Sequence, residues 1–192
     1  MKLIVIAMLT LWNTGVQEPS ISSTAVVYRR TDLTPPKNVY GYVLSEKHAF
    51  RETSAGCVYR YVEPEHSPID LFIYPAEGLD SSHGISNTTK ISQTEADKFQ
   101  KVFAIGKQRG WYSSYQVAFN HPTYINFGKD TVFGYATAVA TKRGTALFVE
   151  FNYVYVVRNM IVAIRSTVPA EKYKKSDIQD FAEHVLKSIT SS

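Results

Sequence analysis

Cysteine is nearly missing from this chain: Cys57 stands alone. An intrachain disulfide is therefore excluded, and so are the paired-cysteine patterns of zinc ribbons and thiol redox sites. Long apolar runs are missing too. The longest, Leu3 to Trp12 in "MKLIVIAMLTLWNTGVQEPS", falls well short of the about 20 residues that a helix needs to span a bilayer. Charge of one sign never accumulates, and 21 Lys and Arg against 17 Asp and Glu leave a scattered net charge of +4. Scattered lysines make a solvated surface rather than a nucleic-acid footprint, so no nucleic-acid partner is expected. The sequence also lacks a G-x-S-x-G elbow, an HExxH pair and any glycine loop of Walker or GxGxxG spacing. No strained nucleophile, helical metal pair or phosphate cradle is announced, and no cofactor is implied.

What is present begins with the leader. Lys2, a short apolar core and then Asn13, Thr14 and Gly15 follow the order of a secretory signal. The sequence divides into a signal peptide over 1–17, a flexible linker over 18–23 and a single domain over 24–192. The alternative makes "LIVIAML" a buried first strand. No cysteine ends the apolar run, which disfavours a lipid anchor. With the leader removed, no transmembrane segment remains, and the expected location is periplasmic or secreted. An exported domain without disulfides must be held by its core, which 192 residues are enough to build. Cys57, just inside an expected strand, reads as a buried structural thiol.

Aromatics are plentiful, with 13 Tyr and 10 Phe, and they concentrate where the sequence looks extended. Strands are expected at 24–30, at 39–45 with Gly41 weakening it, at 57–63 and at 69–75. "DLTPPKN" breaks the chain through Pro35 and Pro36, "EPEHSP" forms a loop, and 76–90 reads as a long loop. A helix follows, with Ser92 as N-cap and Glu95 closing a capping box, and with Ala96, Phe99, Val102 and Phe103 on one face. It continues weakly toward Trp111 and Tyr115 and ends at "NHP". Three strands come next, 131–141, 145–157 and 160–168, joined by "KRG" and "RN". In the middle strand Leu147, Val149, Phe151, Tyr153, Tyr155 and Val157 share one face and Val154 and Val156 the other. A strand apolar on both faces is covered on both sides. Ser176 and Gln179 form a second capping box, opening a helix whose stripe is Ile178, Phe181, Ala182, Val185, Leu186 and Ile189. The class is α+β: an antiparallel sheet of about five to seven strands covered by two main helices.

Three long consecutive strands, a proline-containing link and a terminal helix ending in "VLKSI" resemble the PsbP/Mog1-like α/β/α sandwich, best over residues 130–190. The "YRY…IDLFIYP" pair of strands is also similar to small exported bacterial proteins of unknown function. The resemblance implies a fold and a periplasmic location, and it supplies no catalytic residue to carry over.

The densest polar cluster is "EPEHSPID". Glu63, Glu65, His66 and Asp70 offer hard oxygens and an imidazole to a divalent cation, although polar side chains are expected on any hairpin turn. No spacing among the histidines selects a base; His66 and His121 are the candidates for a site. Arg60 and Arg165 stand out because a charge in an apolar strand needs a partner or water. They are candidates for binding, with a salt bridge to Glu150 as the structural alternative. Tyr135, Phe151, Tyr153 and Tyr155 read as core packing before they read as a pocket lining.

The function expected is an exported, non-enzymatic binding or accessory module for a protein or small ligand of the cell envelope. Recognition would lie on the loops at 76–90 and near 120–130. The alternatives are a secreted hydrolase or metal-dependent enzyme using His66 or His121, and a surface-interaction protein that assembles through its sheet. Native mass spectrometry of the protein recovered from its host should give a mass lacking the leader; a full-length mass would return "LIVIAML" to the fold.

Overall fold

The computed structural model describes residues 33–50, 56–76, 85–127, 130–172 and 175–190. The leader, the linker and the strand expected at 24–30 lie outside the described residues. The chain runs β1 (Asn38–Val39), β2 (Tyr42–Ala49), β3 (Cys57–Glu63), β4 (His66–Pro75), α1 (Ile85–Gln108), β5 (Ser114–Phe127), β6 (Asp130–Arg143), β7 (Ala146–Val157), β8 (Met160–Pro169) and α2 (Lys175–Thr190), with a 3-10 turn at Ala170–Lys172. The strands form one antiparallel sheet of eight, in the order β1-β2-β3-β4-β8-β7-β6-β5. That is more than the five to seven expected. Among the described residues no helix is long and apolar enough to cross a membrane.

Alternation along β7 decides the layering. Phe151, Tyr153 and Tyr155 enter a core with Tyr61, Leu71, Ile164 and the α2 stripe of Ile178, Phe181, Ala182, Val185, Leu186 and Ile189. Val154, on the opposite face, packs with Ile161, Ala163 and Ile91 of α1, while Phe99 and Phe103 of α1 close over Val139. Each helix thus covers one face of the sheet. Cys57 is buried in the α2-side core, as a structural thiol.

Close approach explains two glycines. A Cβ at Gly134 would run into the Val154 carbonyl and the Tyr155 ring on β7, and one at Gly106 would meet the Tyr112 ring. The short β7–β8 link is a two-residue turn in which Arg158 (φ 48°) and Asn159 (φ 64°) both take left-handed backbone. Such turns match the twist of the strands they join.

Four expectations are corrected. Residues 39–45 are not one strand, because Tyr40 and Gly41 turn between β1 and β2. The loop at "EPEHSP" contracts to Pro64 and Glu65, since β4 already begins at His66. Helix α1 starts at Ile85, so Ser92 is no cap; its hydroxyl bonds back to the Thr88 carbonyl at 2.9 Å, inside the helix. The polar run before it is poor in helix formers and is held by packing of Ile91 against the sheet. Finally, 114–127 is a strand, not a fading helix and a loop. Its period is interrupted by a bulge between Val117 and Phe119, and an edge position tolerates Pro122. The side chains of the Ser176 capping box lie outside the described residues, as do 77–84 of the expected recognition loop.

Tyrosines dominate both layers. Burial pushes the phenols of Tyr59 and Tyr112 up to about 12 and those of Tyr61, Tyr74 and Tyr155 higher. A phenol that holds its proton more tightly when folded contributes stability that is present below its unfolded value, about 10, and lost as pH rises through its folded one. Stability should therefore fall above about pH 10. These tyrosines should ionise together with loss of the helical circular-dichroism signal; tyrosinate absorbance from them with the helices intact would refute their burial.

Candidate functional site

Registry brings three of the singled-out residues, Arg60, Asp70 and Arg165, into one line with four other polar side chains. Glu46 faces Arg60, Arg60 faces Asp70, Asp70 faces Arg165, Arg165 faces Asn152, Asn152 faces Thr137, and Thr137 faces Asn120. The row crosses the sheet on the face that α1 packs against. Arg60 donates to both oxygens of Asp70, Nε at 2.7 Å and Nη2 at 2.8 Å. That bidentate pairing raises the Arg60 guanidinium above its ordinary value against the opposing effect of burial. Arg165 Nε donates to Asn152 Oδ1 at 3.0 Å, and its guanidinium lies 4.8 Å from the Phe72 ring and 5.4 Å from that of Phe99. Thr137 Oγ1 donates to Asn120 Oδ1 at 2.8 Å.

The Glu150 alternative for Arg60 and Arg165 is corrected here. Glu150, buried on β7, accepts from Thr141 Oγ1 at 3.0 Å and from Arg143 Nη2 at 2.7 Å. Arg143 in turn lies over Tyr112 and Phe148. Across the layer, Tyr74 Oη donates to Glu95 Oε2 at 2.9 Å and Lys98 Nζ to Glu95 Oε1 at 2.5 Å, a link that joins β4 to α1. Sequence reasoning gave Glu95 to a cap. Its spacing from Ala96 and Phe99 on the apolar face was the signal that it points inward.

The metal candidates do not converge. Glu63 and His66 oppose each other across the β3–β4 turn, and His66 Nδ1 meets Glu63 Oε2. That contact, chiefly, lowers the Glu63 carboxyl below its ordinary range. Glu65 reaches Glu63 through its backbone N–H, at 3.0 Å, and Asp70 is occupied by Arg60. Among the described residues no group of three His, Cys, Asp or Glu side chains is placed to share a cation. His66 lines a notch with Tyr42, Glu65, Ser67, Val168, Lys172 and Ile178, whose void of about 30 Å³ matches one water rather than an organic ligand. His121 lies on the far edge strand, exposed, stacked on Phe119 with centroids 5.2 Å apart, and its Nδ1 lies 2.8 Å from the Pro122 carbonyl. The two histidines share no site.

One further pair of residues was not foreseen from the pattern. Val43 and Val62 face each other on β2 and β3, 51% and 38% exposed. Val62 is two residues from Arg60 and shares its face, beyond the strands over which α1 lies. A turn hidden inside "VYGYVLS" obscured which way Val43 points.

No protein-family model matches the chain, and no curated protein matches it. Among solved structures it is similar to the solution structure of cyanobacterial PsbP (CyanoP) from Synechocystis sp. PCC 6803, at 10% identity and a TM-score of 0.45, over 88% of this chain and 96% of that one.

Asp70→Ala should lower unfolding stability by about 1–3 kcal/mol by stripping Arg60 of a charge-assisted pair that is partly open to solvent. Urea denaturation of Asp70→Ala, Arg60→Ala and the double variant checks it: the double variant should lose less than the sum. Additive losses would mean that the pair does not couple.

Proposed function

We propose that this chain is an exported, non-enzymatic accessory module that binds a protein partner through the open part of the α1-side sheet face. The exposed Val43–Val62 pair carries this reading. Two β-branched side chains side by side, with the Arg60–Asp70 pair next to them, present a small apolar centre with a charged border, the composition of a recognition patch. The interior charges support it from the other direction. Arg60, Arg165, Glu95 and Glu150 are each engaged by a neighbour within the fold, which gives them structural work. Recognition moves accordingly from the loops to the sheet, because 85–90 is helix and 114–127 is strand.

A second reading has one observation in its favour. His66 lines a notch beside Ser67 and is oriented by the Glu63 carboxylate, the arrangement that prepares an imidazole for proton transfer. It would make the chain a secreted hydrolase.

The two readings separate on variants. Partner retained by the wild-type protein in a cell-envelope extract of its host should be lost from Val62→Lys and kept by His66→Gln, with all variants equally folded by circular dichroism. Retention by Val62→Lys would overturn the binding face, and turnover of an ester or peptide substrate abolished only in His66→Gln would establish the second reading.

A further inference from the structure

Among the described residues the sheet ends in two unlike edges. On one side β1 covers two residues of β2, and the rest of β2 carries Glu46, Lys47 and His48 and a bulge between Leu44 and Glu46. Charge, bulges and short strands are the usual ways an edge is kept from pairing. On the other side β5 runs for 14 residues without one Asp, Glu, Lys or Arg. Its bulge between Val117 and Phe119 and its one proline, Pro122, interrupt it only up to that proline. From Thr123 to Phe127 the strand reads "TYINF", which is uncharged, aromatic and β-branched and has neither glycine nor proline. Tyr124 at its centre is 59% exposed.

That free segment is bounded by Pro122 on one side and by the end of β5 after Phe127 on the other, so its midpoint is Ile125. A two-fold axis normal to the sheet at Ile125 sets Thr123 against the partner's Phe127 and Tyr124 against the partner's Asn126. Because β5 carries no charge, self-pairing brings no like charges opposite one another, the arrangement that destabilises cross-strand neighbours.

We propose that β5 pairs antiparallel with β5 of a second copy over Thr123–Phe127, centred on Ile125, extending the sheet across a two-fold dimer. The inference does not rest on the Val43–Val62 reading, since that patch lies toward the opposite edge. Five paired residues, about 17 Å at about 3.4 Å each, are far fewer than the about 20–30 residues a side of a stable interface. The dimer is therefore weak and concentration-dependent. Each copy carries net charge +4, so added salt should tighten the association by screening the repulsion between copies.

Sedimentation velocity of the full chain over a concentration series should show a monomer–dimer equilibrium that tightens with salt. Tyr124→Lys places the usual edge charge at an exposed position and should weaken it at least tenfold, about 1.4 kcal/mol, with unchanged circular dichroism. In the double variant Tyr124→Cys, Asn126→Cys, oxidation should trap a covalent dimer, because the paired positions come within disulfide reach of each other. A strict monomer at every concentration, a dimer indifferent to Tyr124→Lys, or failure of the cysteines to cross-link the copies would each overturn the proposal.

Discussion

A charged side chain set among the strands of a sheet needs a counterpart, whether α1 lies over it, as at Arg165, or the face is partly open, as at Arg60 and Asp70. Here the counterpart comes from the neighbouring strand. Arg60, Asp70, Arg165, Asn152 and Thr137 fall at one level of the ladder, so each looks sideways along the sheet for its hydrogen bond. This fixes registry together with apolar packing. A slip of β4 by one residue would send Asp70 to the α2 face, turn Ile69, Leu71 and Ile73 out of the α2-side core and leave Arg60 and Arg165 facing apolar neighbours. The antiparallel order and the position of α1 over Arg165 follow from keeping that line intact.

Strands β6, β7 and β8 and helix α2 were legible because their physics is local: two-period alternation, a two-residue turn and an apolar stripe that repeats at helical spacing. The α1 start and strand β5 were not. Residues 85–91 contain Ser, Asn and two Thr, all indifferent to helix, and Ile91 packs against the sheet. Strand β5 alternates regularly only from Thr123 to Phe127, because its bulge breaks the period before that, and Pro122 looks like a terminator unless the strand is known to be an edge. Arg60 and Arg165 were visible as residues in need of partners, and Asp70 only as one of a cluster of candidate metal ligands. Which partner each took depended on strand order, and β4 beside β8 cannot be read from either strand alone.

Arg60 and Arg165, singled out as candidates for binding, are consumed by the sheet, whereas Val43, Val62 and Tyr124 remain in contact with water. The aromatic side chains read as core, Tyr135, Phe151, Tyr153 and Tyr155, are buried. The His66–Glu63 pair closes the β3–β4 turn beside a small notch.

The seam between β4 and β8 carries a consequence in time. Ser166 Oγ reaches the Pro68 carbonyl across 98 positions of sequence at 2.6 Å, while β5 to β8 are joined by short links. Contacts this remote carry a heavy loop-closure cost and form late. Leu33 and Val39 likewise share a core with Ile178 to Ile189, so the first and last described segments complete the same layer. A chain released from its N-terminus onward therefore keeps β4 without β8, its second neighbour, until most of the chain has emerged. The α2-side core closes later still, when the last helix arrives over the sheet.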